Sequence, residues 1–197
     1  MTVCKYQVNE IFYSLQGEGR WAGRPAVFIR FSGCNLRCPF CDTDFSRHTP
    51  MTLHQILDAI ATWSDCHFVV LTGGEPSLQV DPPLLDALHA AGYYVAIETN
   101  GTRPLPPGID WVTVSPKQSF TDEGRVVLTQ ASEVKVIFDG LHQPTDCGIR
   151  AHEYRLQPCD TGDAQRNAAI RRQCVDYILR NPHWQLSLQQ HKLLDIK

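Results

Sequence analysis

Apolar runs of strand length alternate along the chain with stretches whose apolar positions follow a helical period. Val27-Phe28-Ile29-Arg30-Phe31 reads as a β-strand, and His67 to Leu71 as a buried strand that ends at Thr72-Gly73-Gly74. Between them Thr52 and Gln55 have the capping-box spacing, and Leu53, Ile56, Leu57 and Ile60 form one helical stripe. Asp81-Pro82 supplies an N-cap with proline at the first helical position, followed by Leu84, Leu85 and Leu88 on one face. Tyr93 to Ile97 is the next strand, closed by Thr99-Asn100-Gly101. Pro104, Pro106 and Pro107 then leave no room for a crossover helix before Gly108. Further strands are predicted at Trp111–Val114, Glu133–Phe138 and Tyr154–Leu156, and a long helix over Asp163 to Leu179. Leu186 and Leu188 alternate as in a strand near the end of the sequence.

Strand–helix–strand alternation implies a largely parallel sheet with right-handed crossovers. About six strands with three helices predict an α/β fold, a partial and open (β/α) barrel. A complete eightfold barrel takes ~250 residues, and this chain has 197. That length suits a single domain spanning 1–197. Chemistry in such folds gathers at the C-terminal ends of the strands. Gly17, Cys34, Gly74, Asn100, Ser115 and Gln157 each fall just past a predicted strand, so they are expected on one face.

Composition removes several function classes. The chain has 18 Lys and Arg against 21 Asp and Glu, a formal net charge of −3, which argues against a surface that tracks nucleic-acid phosphates. No apolar run approaches the ~20 residues that span a bilayer. Met1 to Glu10 lacks the apolar core of a signal peptide, so a cytoplasmic location is expected.

Of eight cysteines, Cys34, Cys38 and Cys41 are gathered at a C-x3-C-x2-C spacing, while Cys4, Cys66, Cys147, Cys159 and Cys174 are scattered and read as packing residues. Three thiolates on so short a loop can wrap one compact metal centre at little entropic cost. Structural zinc normally takes four protein ligands; His48 or Cys66 could complete such a set. A [4Fe–4S] cube held by three cysteines instead keeps one iron open to a small molecule. A zinc-stabilised, non-catalytic module is therefore the alternative from another class.

With Phe40 before its last cysteine, Cys34-Asn35-Leu36-Arg37-Cys38-Pro39-Phe40-Cys41 resembles the signature of radical S-adenosylmethionine (SAM) enzymes. The resemblance implies a (β6/α3) TIM-like barrel and an iron–sulfur cluster whose open iron chelates SAM and splits it to a 5′-deoxyadenosyl radical. Thr72-Gly73-Gly74-Glu75-Pro76 is similar to the motif that meets the amino end of SAM, and Gly74 and Glu75 are its expected contacts. The same resemblance places Phe40, Cys41, Asp42, Ser115, Pro116, Lys117, Gln157, Pro158, Cys159 and Asp160 around SAM.

Phe12 to Gly19, Phe28 to Gly33, Cys41-Asp42-Thr43-Asp44-Phe45 and Leu186 to Lys192 together resemble the 7-carboxy-7-deazaguanine synthase family. That family converts 6-carboxy-5,6,7,8-tetrahydropterin to 7-carboxy-7-deazaguanine with loss of ammonia, towards queuosine in tRNA. The resemblance implies Mg²⁺ bound through Thr43, a flavodoxin or ferredoxin as electron donor, and a homodimer. It places Leu15, Gln16, Gly17, Glu18, Arg30, Thr72, His191 and Lys197 at the pterin. The chemistry is sensible: Gln16 and Glu18 can match a planar donor–acceptor edge, and the Arg30 fork suits a carboxylate. Mg²⁺ favours oxygen ligands, so Thr43 serves if the substrate supplies further oxygens. A glycyl-radical-activating enzyme, with a similar cysteine loop but a protein substrate, is the alternative within radical chemistry.

Overall fold

The computed structural model describes residues 5–41, 43–44 and 47–197. One nine-stranded sheet has the order β3-β1-β2-β4-β5-β6-β7-β8-β9. β1 (Tyr6–Leu15), β2 (Pro25–Phe31) and β3 (Thr49–Met51) pair antiparallel at one edge. From β2 onwards every pairing is parallel, through β4 (Phe68–Gly73), β5 (Tyr94–Thr99), β6 (Trp111–Val114), β7 (Glu133–Phe138), β8 (Glu153–Pro158) and the short β9 (Gln185–Leu186). Three helices serve as crossovers: α1 (Leu53–Ile60), α2 (Pro82–Ala90) and α3 (Ala164–Arg180). A fourth, α4 (Gln190–Leu194), belongs to the C-terminal tail. The six strands β2 and β4–β8 with α1–α3 form the partial, open (β6/α3) barrel that the sequence predicts.

Local signals account for the helices. Thr52 and Gln55 form a reciprocal capping box, with Gln55 N donating to Thr52 Oγ1 and Thr52 N to Gln55 Oε1 (2.8 Å). Asp81 accepts from Leu84 N at 3.1 Å and opens α2. The proline-rich stretch between β5 and β6 contains no helix, as expected. β3 and α4 are missing from the sequence reading, and β1 enters it only as an undelimited strand ahead of Gly17. Two boundaries also differ. β8 runs to Pro158, so Gln157 lies within the strand and not beyond it, and only Gln185–Leu186 of the Leu186/Leu188 pattern is strand.

The core has two parts that both reach Val112. α1 and α2 cover β1, β2, β4 and β5 through Ile56, Ile60, Leu84, Leu85 and Leu88. α3 covers β6–β8, placing Ile170 and Cys174 against Val134, Val136, Phe138 and Leu156. Side chains alternate across a strand. The opposite face of β7 and β8 therefore carries Glu133, Lys135 and Ile137, and Glu153, Arg155 and Gln157. The concave face of the barrel is thus lined by charge. At its lower end the charges are paired: Glu153 binds both Arg20 and Arg155, and Glu133 Oε2 accepts from Arg20 N at 2.9 Å.

Leu88 has no exposed surface, whereas Leu179 on α3 is 76% exposed. Leu88→Ala is expected to cost about 2–5 kcal/mol, and Leu179→Ala within about 0.5 kcal/mol. Thermal melting of the two variants checks the contrast.

Candidate active site

The loop after β2 carries the three cysteines, and backbone pairing to the loop after β4 fixes where it starts. Gly74 N donates to Phe31 O at 3.1 Å and Glu75 N to Gly33 O at 2.8 Å. A Cβ on Gly74 would stand 2.0 Å from Gly33 O, and Gly73 has φ +135° with Phe31 O equally close. Only glycine permits this approach. Glu75 is buried, and its carboxylate accepts from Ser77 N (3.0 Å), Thr99 Oγ1 (2.7 Å) and Asn100 N (2.7 Å). Its first duty is therefore to lock the loops after β4 and β5 together. Asn100 Nδ2 in turn donates to Asn35 Oδ1 at 3.0 Å, inside the cysteine loop.

Cys34, Cys38 and Cys41 are free thiols that line a cavity of about 240 Å³. Burial pushes the Cys34 and Cys38 thiols up, so a positively charged metal centre is needed to keep them as thiolates. Of the possible fourth zinc ligands, Cys66 is buried ahead of β4, at the opposite end of the strands, its thiol directed to the carbonyls of Pro25 and Phe68. His48 is exposed. Among the described residues, no three His, Cys, Asp or Glu side chains converge on a single-ion position. Cys174 is buried in the core and Cys147 packs against it, as the packing reading expects; Cys4 lies outside the described residues.

The same cavity is lined by Phe40, Gly74, Glu75, Ser115, Lys117, Gln157, Pro158, Cys159 and Asp160. Pro116 is buried and does not line it, and Asp42 lies outside the described residues. Lys117 Nζ donates to Ser115 O (2.7 Å) and Oγ (2.5 Å), and burial lowers its pKa to about 8. Gln157 Oε1 accepts from Ser187 Oγ at 2.9 Å. A hydrogen bond from Lys192 (2.8 Å), with others from Gly162 N and Asn167, holds Asp160 well below the ordinary carboxylate range.

A second cavity of about 490 Å³ adjoins the first, and Thr43, Thr72, Glu18 and Glu98 line both. Leu15, Gln16, Gly17, Arg30, His191 and Lys197 line this one. Most residues expected at SAM thus line the first compartment and those expected at the pterin line the second, while Glu18 and Thr72 line both and Pro116 lines neither. The wall of the second includes Phe12 stacked on Phe28 (centroids 4.8 Å apart, interplanar 6°), with the Arg30 guanidinium 5.5 Å and Lys197 Nζ 5.1 Å from the Phe12 ring. Glu10 joins these two cations, accepting from Arg30 Nε at 3.0 Å and Lys197 Nζ at 2.6 Å. Burial raises the Glu10 pKa, but those two bonds outweigh it and hold the group ionised. His191 lies on α4, and Gly17 fits beneath its ring, where a Cβ would be 2.2 Å from Nδ1. Gln190 N donates to Gly17 O at 2.8 Å, which ties the tail over the compartment.

Lys135 and Glu98 line the candidate site, and the motifs did not reveal them. Lys135, on β7, gives its ammonium to Glu18 (2.5 Å) and to Glu98 on β5 (2.9 Å). The available signal was a lysine alternating with valines in Glu133-Val134-Lys135-Val136, a charge on an otherwise buried strand. Burial raises the Glu18 pKa, yet Lys135 and a 3.0 Å bond from Gln189 Nε2 bring it down to about 2. The two anions in turn raise the Lys135 pKa against the effect of burial.

The model of the Radical SAM superfamily matches residues 28–130. The 7-carboxy-7-deazaguanine synthase of Bacteroides thetaiotaomicron is 51% identical over 97% of this chain and 98% of its own length. That of Bradyrhizobium diazoefficiens is 44% identical over 98% and 99%. The chain belongs to the 7-carboxy-7-deazaguanine synthase family. The crystal structure of QueE from Escherichia coli superposes with a TM-score of 0.75 at 29% identity, covering 95% of each chain. A radical SAM synthase carries a [4Fe–4S] cluster and SAM. The three cavity-lining thiols, with no fourth protein ligand gathered beside them among the described residues, fit a cube with one open iron.

Gly74→Ala would drive a methyl into the Gly33 carbonyl and part the two loops. The variant is expected to retain less iron after anaerobic purification and to lose at least tenfold in SAM affinity, read by metal analysis and equilibrium binding. The Lys135–Glu18 pairing also sets an acid limit. A carboxylate with a depressed pKa contributes stability above about pH 4.5 and loses it as pH falls towards 2. Glu18→Gln is therefore expected to flatten the acid limb of a melting-temperature profile.

Proposed function

We propose that this chain converts 6-carboxy-5,6,7,8-tetrahydropterin to 7-carboxy-7-deazaguanine with loss of ammonia, on the route to queuosine and other 7-deazapurines. The observation that carries this reading is the pair of adjoining compartments, one lined by three free thiols and the other by a polar set of mixed charge, in which Arg30 and Lys197 stand together and suit the carboxylate of a heterocycle. When bound, the cluster and SAM supply one-electron cleavage chemistry that abstracts a hydrogen atom. Everything else falls to the chain's own side chains, which bind, orient and exclude water.

Cys34, Cys38 and Cys41 hold the cube. Phe40, Gly74, Glu75, the Ser115–Lys117 turn and the Gln157–Asp160 segment enclose SAM, with Cys159 a neighbour and not a cluster ligand; Asp42, expected with them, lies outside the described residues. Gln16 and Glu18, already bonded to each other through Glu18 N and Gln16 Oε1 (3.2 Å), present a fixed edge to the pterin ring. Arg30 takes the carboxylate, with Lys197 beside it. Leu15, Gly17, Thr72 and His191 complete the enclosure. Thr43 and Asp44 both line this compartment, and their oxygens suit Mg²⁺ shared with the substrate.

A small-molecule substrate agrees with compartments of about 240 and 490 Å³ better than the protein substrate of a glycyl-radical activase. The family resemblance supports a homodimer, a flavodoxin or ferredoxin as reductant, and a cytoplasmic setting. No helix among the described residues is long and apolar enough to cross a membrane.

The deciding experiment is an anaerobic assay with SAM, reductant and the carboxypterin. The wild type is expected to form the deazaguanine with a Mg²⁺ requirement, and Cys38→Ala to form none; full turnover by an iron-free Cys38→Ala preparation refutes the scheme. Deletion of His191 to Lys197 is expected to spare SAM cleavage while raising KM for the pterin at least tenfold. Unchanged pterin affinity in that deletion removes the tail from the binding site.

A further inference from the structure

The boundary between the two compartments carries ionisable groups beyond those that binding requires. A group that acts on the reacting carbons must stand where the cofactor compartment opens onto the substrate compartment. The ionisable side chains lining both are Glu18, Glu98 and Lys192. Glu18 is fixed as an anion by its 2.5 Å bond to Lys135 and its bond from Gln189. Lys192 is paired with Asp160 at 2.8 Å. Glu98 is held less tightly, with Lys135 at 2.9 Å on Oε2 and a long 3.3 Å bond from Gln16 Nε2 on Oε1.

We propose that Glu98 is a catalytic proton-transfer residue, taking a proton from a ring carbon of the substrate and delivering it to the departing amine, with Lys135 as its positioning residue. The proposal rests on the substrate assigned above. Loss of ammonia to give an aromatic five-membered ring breaks one C–N bond, whose electron pair leaves with nitrogen. The electrons of a neighbouring C–H bond become the new C=C bond. Carbon therefore loses one proton and nitrogen gains one, and a single carboxylate shuttling that proton balances the step without oxidant or reductant. Thr43 and Thr72, also at the boundary, are neutral hydroxyls with no comparable basicity near neutral pH.

Electrostatics supports the assignment. Burial raises the Glu98 pKa, Lys135 on β7 opposes it, and Glu18 after β1 and Glu133 on β7 raise it further, to about 7. Lys117, after β6, is a further buried cation that couples to Lys135 and Glu18. Glu98 thus exists in both protonation states near neutrality, where general acid–base catalysis is most effective.

The test uses reconstituted holoenzyme, with kcat/KM for the carboxypterin measured across pH for the wild type, Glu98→Gln and Glu98→Asp. Wild-type kcat/KM is expected to rise through a break near pH 7, as the free-enzyme base ionises. Glu98→Gln is expected to lose about 10²–10⁴-fold in product formation and the pH break with it. Its iron content and SAM affinity are expected to fall far less than product formation does. Glu98→Asp is expected to regain part of the rate and to keep a break. Wild-type turnover or an unchanged break in Glu98→Gln overturns the proposal. So does loss of cluster and SAM affinity in both variants, which marks a structural role. If the wild type forms no product from the carboxypterin, the substrate assignment fails first, and no variant is needed to see it.

Discussion

The structure depends on one buried ammonium. Lys135 lies inside a half-barrel whose concave wall is charged, and it ties three elements distant in sequence: the loop after β1 through Glu18, β5 through Glu98, and its own strand β7. An ammonium in such a place is costly unless it is paired and hydrogen-bonded. Glu18 meets that need as a firmly held anion and Glu98 adds a second, looser bond, which leaves the surrounding cavity shaped before any ligand arrives. A closed barrel fills its interior with branched aliphatic side chains. This shortened one moves its apolar packing to the outer face, against α1–α3, and leaves the inner face for chemistry.

Much of this architecture was legible in the amino-acid order because the signals were local. The capping box at Thr52/Gln55, the Asp81-Pro82 helix start and the proline block after Gly101 each act within a few residues, and the structure follows all three. The missing elements are held from outside. β3 is three residues with Pro50 at the sheet edge, and α4 is five residues without a buried side chain; their positions come from β1 and from Gly17. β1 carries a register irregularity between Val8 and Glu10, which disturbs the period that would have marked it.

The site divides the same way. Contiguous motifs gave the cysteine loop, the glycine pair and the Gln16–Glu18 turn. Lys135 and Glu98 are single charges on two strands, and only the parallel register across β5, β6 and β7 makes them neighbours. Glu75 teaches a related lesson. Its place in the motif suggested a partner for a ligand ammonium, whereas the fold first uses it to join the turns after β4 and β5.

The Glu10 clasp leaves an uneven balance of charge where the tail meets the sheet. One carboxylate faces two cations, Arg30 and Lys197, so this trio of side chains sums to a single positive charge. That single charge is local to the trio, because the two cations share one carboxylate between them. The clasp is therefore a local excess of positive charge, set in a wall that also carries Glu18, Asp44 and Glu98.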